Sequence, residues 1–314
     1  MKTRIWLIAA VGVLGVAGGV HAWYGKGHQA MTTLAVRALP GELPGFFRQG
    51  AGEVAHVSVD PDLFRLKENP ELRSEEVPEH YIDLELLEDG DPNRERPRLG
   101  TLTSLPADRY GLVQLCAKRN IDPAKVGFLP YAIVEWTQRL TIAFAEHRKW
   151  PADKAVQAKC LVYAGLLAHY AQDLCQPLHT TIHYDGKLVD GQKVGAGVHA
   201  KVDALLDGLA APASGASRPA TARMPASLPA MEAKAFEQLM PAVLAELNRS
   251  HALVDKVYEL AKQFPEPNEP LDADSPAGQF AAQRAAAGAS FTASLYLTAW
   301  RDSASFPLPE WHER

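Results

Sequence analysis

The sequence predicts an all-α, multi-helix bundle, and three observations carry that expectation. Apolar residues recur at helical spacing through several long stretches that contain few glycines or prolines. Prolines stand instead near the ends of those stretches, where they start or stop helices. No convincing run of alternating β-branched residues occurs, which argues against a sheet-based fold.

Taken in order, residues 1–22 read as an export signal. Lys2 and Arg4 make a short basic start, Ile5 to Val20 is small and apolar, and Val20-His21-Ala22 has the small-residue pattern at which a signal peptidase cuts. The apolar run is short for a membrane span. The expected protein is therefore exported, periplasmic or extracellular, and begins at Trp23. "GHQAMTTLAVRALP" gives a first helix ending near Pro40. Residues 88–108, rich in Asp, Arg and Pro, form a solvated excursion. "LPYAIVEWTQRLTIAFAEHR" and "PADKAVQAKCLVYAGLLAHYAQDLCQ" are two long helices, the second started by Pro151 and closed by Pro177. "GVHAKVDALLDGL" is a shorter helix. An Ala/Pro/Ser low-complexity connection follows at about 210–230, then helices at roughly 230–263 and 276–300. Those last helices are too few to build a core of their own. Residues 23–314 are thus expected to form one domain, with 210–230 as a surface loop.

Composition narrows the function. The chain has 314 residues and a formal charge of −5; removing the first 22 leaves 292 and, with Lys2 and Arg4 gone, −7. So acidic a chain is a poor candidate for gripping nucleic acid with a basic patch alone. If it handles phosphates, bound metal ions are one source of the positive charge it lacks. Three cysteines (Cys116, Cys160, Cys175) allow at most one bridge, and no pairing follows from their spacing.

There are eleven histidines, and several have carboxylate partners at telling spacings. In "HYAQDLCQPLH", His169 and Asp173 are four apart and share one helical face; His179 follows after the Gln176-Pro177 turn. "GVHAKVD" repeats the spacing with His199 and Asp203. "EHYID" supplies His80 and Asp83, and "SVDPDLFR" supplies Asp60 and Asp62. One such pair alone is ordinarily a surface interaction that steadies its helix. Cys175 and Tyr170 read as core, and His56, His147, His183, His251 and His312 as structural or exposed. Imidazole and carboxylate donors together suit zinc, and two helical pairs plus isolated His and Asp residues could build several zinc shells inside a bundle. A carboxylate with histidines on both sides, such as Asp173, is placed to bridge two ions.

In this order of motifs (Trp23, "GH" ending at His28, an Asp in "DPDLFR", "HYID", "H-x3-D-x2-QPLH", "H-x3-D") the chain resembles the superfamily of zinc-dependent phospholipases C and single-strand-specific nucleases of the P-one type. The likeness spans roughly residues 23–207. It implies the all-helical fold of that superfamily and three Zn2+ ions. One ion would be held by Asp62, His80, His169 and Asp173. A second would be held by Asp173, His28 and the α-amino nitrogen and carbonyl oxygen of Trp23. A third would be held by His179, His199 and Asp203. Asp60 competes with Asp62 for its place, and Asp62 is preferred because Arg65 follows it by three. Signal cleavage then acquires a purpose: a free α-amine, with a pKa of about 7.7–8.0, gives up a proton to a metal, and an amide nitrogen does not. Hydrolysis of P–O esters would use water activated by zinc, whose pKa falls from 15.7 to about 7. Asp173 is then the bridging catalytic carboxylate, and Asp83 orients water or substrate.

The motifs divide over the substrate. The spacing from Trp23 to His28 and the "HYID" segment are nuclease-like, with Tyr81 to stack on a base and Asp83 to bond its edge. The nucleases usually carry Gly-Gly-Asn after QPLH and Asn-Leu-His-x-x-Trp-Asp later; here stand "YDGKLVDGQ" and "GVHAKVDALLD", the latter closer to the phospholipases. The expected activity is that of a single-strand nuclease or 3′-nucleotidase acting on nucleic acid or nucleotides. The alternatives are a phospholipase C acting on a phosphatidylcholine-like headgroup and a zinc-binding helical protein without turnover. No stable protein partner is implied.

Overall fold

The computed structural model describes residues 23–88, 104–189, 191–210 and 231–313. The described residues form fourteen α-helices, a few 3-10 turns and one short hairpin. In chain order the helices are α1 (Gly25–Arg37), α2 (Gly45–Gln49), α3 (Ala51–Val57), α4 (Asp60–Phe64), α5 (Pro70–Glu76), α6 (Glu85–Glu88), α7 (Arg109–Lys118), α8 (Pro123–Val126), α9 (Leu129–Lys149), α10 (Lys154–Leu174), α11 (Val198–Ala210), α12 (Leu239–His251), α13 (Val254–Leu260) and α14 (Pro276–Asp302). The all-α expectation holds. The expected signal segment, residues 211–230 of the low-complexity connection and residues 89–103 of the excursion lie outside the described residues.

The long helices start where polar side chains satisfy their free N–H groups. Asp153 accepts from Ala155 N at 2.8 Å and Val156 N at 3.2 Å to open α10, so the helix begins at Lys154 rather than at Pro151, which sits in the preceding turn. Ser275 accepts from Gly278 N at 3.0 Å, with Pro276 in the first turn of α14. The short 150–153 connection folds α10 back along α9, and α14 packs on α1, α9 and α10. Every residue of α10 from Ala164 to Leu174 is buried, as expected of a helix packed on all sides. One hydrophobic cluster runs through the molecule, from Trp23 and Met31 through Phe144 and Leu167 to Tyr296. The Tyr296 hydroxyl donates to the Ala164 carbonyl at 2.8 Å.

Two further details depart from the sequence expectation. Residues 252–253 break the helix expected over 230–263 into α12 and α13, and residues 231–238 precede it without regular structure, pinned to α14 by Lys234 N to Ser294 Oγ (3.1 Å) and Phe236 N to Thr298 Oγ1 (2.9 Å). A small antiparallel hairpin, β1 (Lys187–Val189) with β2 (Gln192–Val194), follows the 3-10 turn Pro177–Thr180. Its positive-φ glycines, Gly186, Gly191 and Gly195, permit the turns. Among the described residues no helix is long and apolar enough to cross a membrane.

Candidate metal centre

α10 carries the centre of the site. His169 and Asp173, one turn apart, are fully buried and face the same way. The segment 81–84 runs beside residues 179–180, with Ile82 N donating to His179 O at 2.9 Å, and this brings the turn ending in His80 against the turn carrying His179. Arg109 fixes the first of these turns by bonding Glu79 (2.6 and 3.1 Å) and Glu135 of α9 (2.7 and 2.9 Å) together. α11 then delivers His199 and Asp203, again one turn apart.

Three groups of buried donors result: His28, Asp62 and His169; His80, His169 and Asp173; His179, His199 and Asp203. The spacings within them are informative. His80 Nδ1 lies 3.0 Å from Asp173 Oδ2 and 3.0 Å from His169 Nε2, which is itself 3.4 Å from Asp173 Oδ2. His28 Nε2 lies 3.4 Å from the other carboxylate oxygen, Asp173 Oδ1. His199 Nε2 lies 3.2 Å from His179 Nε2 and 3.2 Å from Asp203 Oδ2. A tetrahedral shell with metal–donor bonds of 2.0–2.1 Å has edges of about 3.3 Å, so these separations match those around one ion.

The hydrogen bonds on the far side of the rings point the same way. His169 Nδ1 donates to the Ser58 carbonyl at 2.8 Å and His179 Nδ1 to the His80 carbonyl at 2.6 Å, which leaves Nε2 of each ring facing inward with a lone pair. His28 Nδ1 lies 2.7 Å from the Gln172 side-chain amide; in the orientation that satisfies both of its ends, the amide N–H2 donates to His28 Nδ1 and its oxygen accepts from Thr32 Oγ1 at 2.8 Å and Thr32 N at 3.2 Å. His28 Nε2 and Asp173 Oδ1 are buried without a hydrogen-bond partner. Donor atoms facing one another at these distances need a proton or a metal ion between them, and the unpartnered His28 Nε2 and Asp173 Oδ1 are placed to take a metal, so the residues present fit bound metal ions.

Charge within the site is strongly coupled. Burial, reinforced by His169, pulls the His28 imidazole down to about 3, so the ring is neutral and able to ligate. Burial opposes ionisation of Asp173, but His169 and His179 outweigh it and hold the carboxyl well below its usual range. Burial, with Asp173 adding repulsion, pushes Asp203 well above that range.

The remaining predicted residues sit as follows. Asp62 is buried, ion-paired to Arg65 and 3.9 Å from His169 Nε2; Asp60, at the start of α4, belongs to none of the three groups. Trp23 is fully buried, and its indole N–H donates to the Gln172 carbonyl at 3.2 Å, next to Asp173 in the chain. The following amide, Tyr24 N, donates to the Asp203 carbonyl at 3.1 Å. His28 joins Asp62 and His169 as well as facing Asp173. His56, His147, His183, His251 and His312 fall outside the donor groups. His312 is not free: its Nε2 lies 3.3 Å from Glu146.

The donors open on a cleft of about 730 Å3, lined by Asp62, His80, His179 and His199. Tyr81 and Asp83 line it too. The Tyr81 hydroxyl donates to the Ala124 carbonyl at 2.6 Å, and burial with nearby Glu85 pushes the Asp83 carboxyl well above its ordinary range. Arg65, Lys67, Arg73 and Lys125 surround these groups with positive charge, and Tyr184 adds a second aromatic face. Sequence reasoning missed the outward partners. Ser58 acts through its carbonyl, which carries no side-chain signal. Gln176 donates to Asp203 Oδ1 at 2.8 Å and accepts from Leu178 N at 2.6 Å, whereas the sequence marked only the turn at Gln176-Pro177. Comparison with protein-family models gives no match, nor does comparison with curated proteins.

Proposed function

We propose that the chain is an exported tri-zinc phosphodiesterase that hydrolyses P–O ester bonds in single-stranded nucleic acid or 3′-nucleotides. One observation carries the reading: three adjoining groups of buried imidazoles and carboxylates open on a single cation-rimmed cleft. Asp62, His80, His169 and Asp173 would hold one ion. Asp173 would share a second with His28 and the Trp23 α-amine and carbonyl, and His179, His199 and Asp203 would hold the third. When bound, zinc supplies Lewis acidity toward phosphate oxygens and lowers the pKa of a water to about 7.

The chain's own residues do the rest. Asp173 presents its two oxygens to different histidines, which suits a shared carboxylate. Arg65 holds Asp62 in place. Lys67, Arg73 and Lys125 draw a phosphodiester to the cleft. Tyr81 and Tyr184 offer faces on which bases stack, an interaction of about 1–3 kcal/mol per base that tolerates any sequence. Asp83 offers a carboxyl to the substrate.

A phospholipase C reading is favoured by a different feature, the apolar wall of Leu66, Val77, Leu86, Leu178 and Ile182 in the same cleft. Assay of the purified chain beginning at Trp23 separates these readings. Chelator-sensitive cleavage of single-stranded nucleic acid or 3′-nucleotides, with phosphatidylcholine untouched, is the expected result. Release of phosphocholine alone would select the lipase. Full zinc loading without turnover on any of the three would overturn an enzymatic role.

A further inference from the structure

His80 is turned the opposite way from His169 and His179. Its Nδ1, not its Nε2, faces the donor group, 3.0 Å from both Asp173 Oδ2 and His169 Nε2. Its outward Nε2 has no backbone carbonyl to bond, unlike the outward nitrogens of those two rings. What faces it is a carboxylate: Glu76 Oε1, one helical turn earlier, lies 3.3 Å away, an ion-pair contact whose angle falls short of a hydrogen bond. Glu76 is 12% exposed. The Tyr170 hydroxyl donates to the same Oε1 from α10, the residue after His169, and the Tyr170 ring stands edge-on to both His80 (5.5 Å) and His169 (5.6 Å).

We propose that Glu76 is a positioning residue of the metal centre: steadied by Tyr170, its carboxylate keeps the ring proton of His80 on Nε2 and so presents Nδ1 to the ion. The inference rests on the metal reading above. A carboxylate behind a ligating imidazole fixes ring orientation and raises ligand basicity, and removing such a partner typically costs about 10–100-fold in metal affinity. Glu76 does this for His80, whereas His169 and His179 use backbone carbonyls. Tyr170 links the carboxylate to α10, so one carboxylate, hydrogen-bonded to Tyr170 and ion-paired with His80, joins the turn of His80 to the helix of His169.

The test uses the whole exported chain and zinc alone, titrated against a chromogenic chelator, with helicity followed by circular dichroism. Glu76→Ala is expected to keep its helices and to weaken the affinity of one ion by about 10–100-fold. Glu76→Gln, which retains an acceptor oxygen, should recover part of that loss, and Tyr170→Phe should lose less than Glu76→Ala. A second readout does not depend on activity: long-range proton–nitrogen spectra of the zinc-loaded chain should show His80 bound through Nδ1 and protonated on Nε2, with that proton protected from exchange in the parent and exposed in Glu76→Ala. Unchanged zinc affinity in Glu76→Ala, or a zinc-loaded parent with His80 protonated on Nδ1, overturns the proposal while leaving the metal reading intact. A parent chain that binds no zinc overturns both.

Discussion

Asp173 meets four histidines. Its Oδ2 lies 3.0 Å from His80, 3.4 Å from His169 and 3.8 Å from His179, and its Oδ1 lies 3.4 Å from His28. A carboxylate shared between two ions in this way would couple their sites. Asp173→Asn, which swaps one donor oxygen for an N–H2, should therefore reduce metal content by more than one ion per chain; elemental analysis showing three ions retained would contradict the shared role. Asp62→Asn should lower metal content as well, whereas Asp60→Asn should retain the full complement, since Asp60 joins no donor group. The His169/Asp173 and His199/Asp203 pairs were legible because four-residue spacing on a helix fixes a common face. Glu76 and His80 have the same spacing, but it spans the end of α5 and a 3-10 turn, where the sequence carries no helical period to mark it.

At the scale of elements, the site depends on how closely α3 and α10 approach. A Cβ on Gly165 would lie 2.5 Å from Val57 Cβ and 2.8 Å from the Val54 carbonyl, so only glycine allows the contact. One turn further along α10, that approach places the Ser58 carbonyl on His169. Gly165→Ala is expected to push α3 away and cost about 1–3 kcal/mol, read from chemical denaturation, with weaker zinc binding as the second consequence. Gly288→Ala on α14 is the contrast: its new methyl would meet Met31 Sδ at 2.9 Å, the outer part of a flexible side chain that moves aside cheaply. Equal destabilisation by the two variants would refute the argument. The long helices α1, α9, α10, α11 and α14 followed from apolar period and from prolines near the ends of some of them. The short helices α2 to α5 and the 187–194 hairpin did not, because runs this brief give no measurable period and are held by tertiary contacts.

For the molecule as a whole, the buried donors are an electrostatic burden that a bound cation would relieve. Burial drives His28 and His199 toward the neutral form and Asp203 toward the protonated one, while Asp173 stays ionised beside them. Metal that binds only the folded chain adds about 2.7 kcal/mol of stability at a free concentration of 100 times Kd. Chelation should therefore lower the unfolding temperature by several degrees and zinc should restore it; a thermal scan unmoved by chelator would show that the donors are stable by themselves.

The three cysteines bear on how such a chain is made. Cys116, Cys160 and Cys175 are all buried and none is bonded to another. Assembly of the core consequently needs no oxidant, no thiol–disulfide shuffling and no catalyst of bridge formation. A reducing and an oxidising milieu should yield the same fold, and reductants used in purification should leave it untouched.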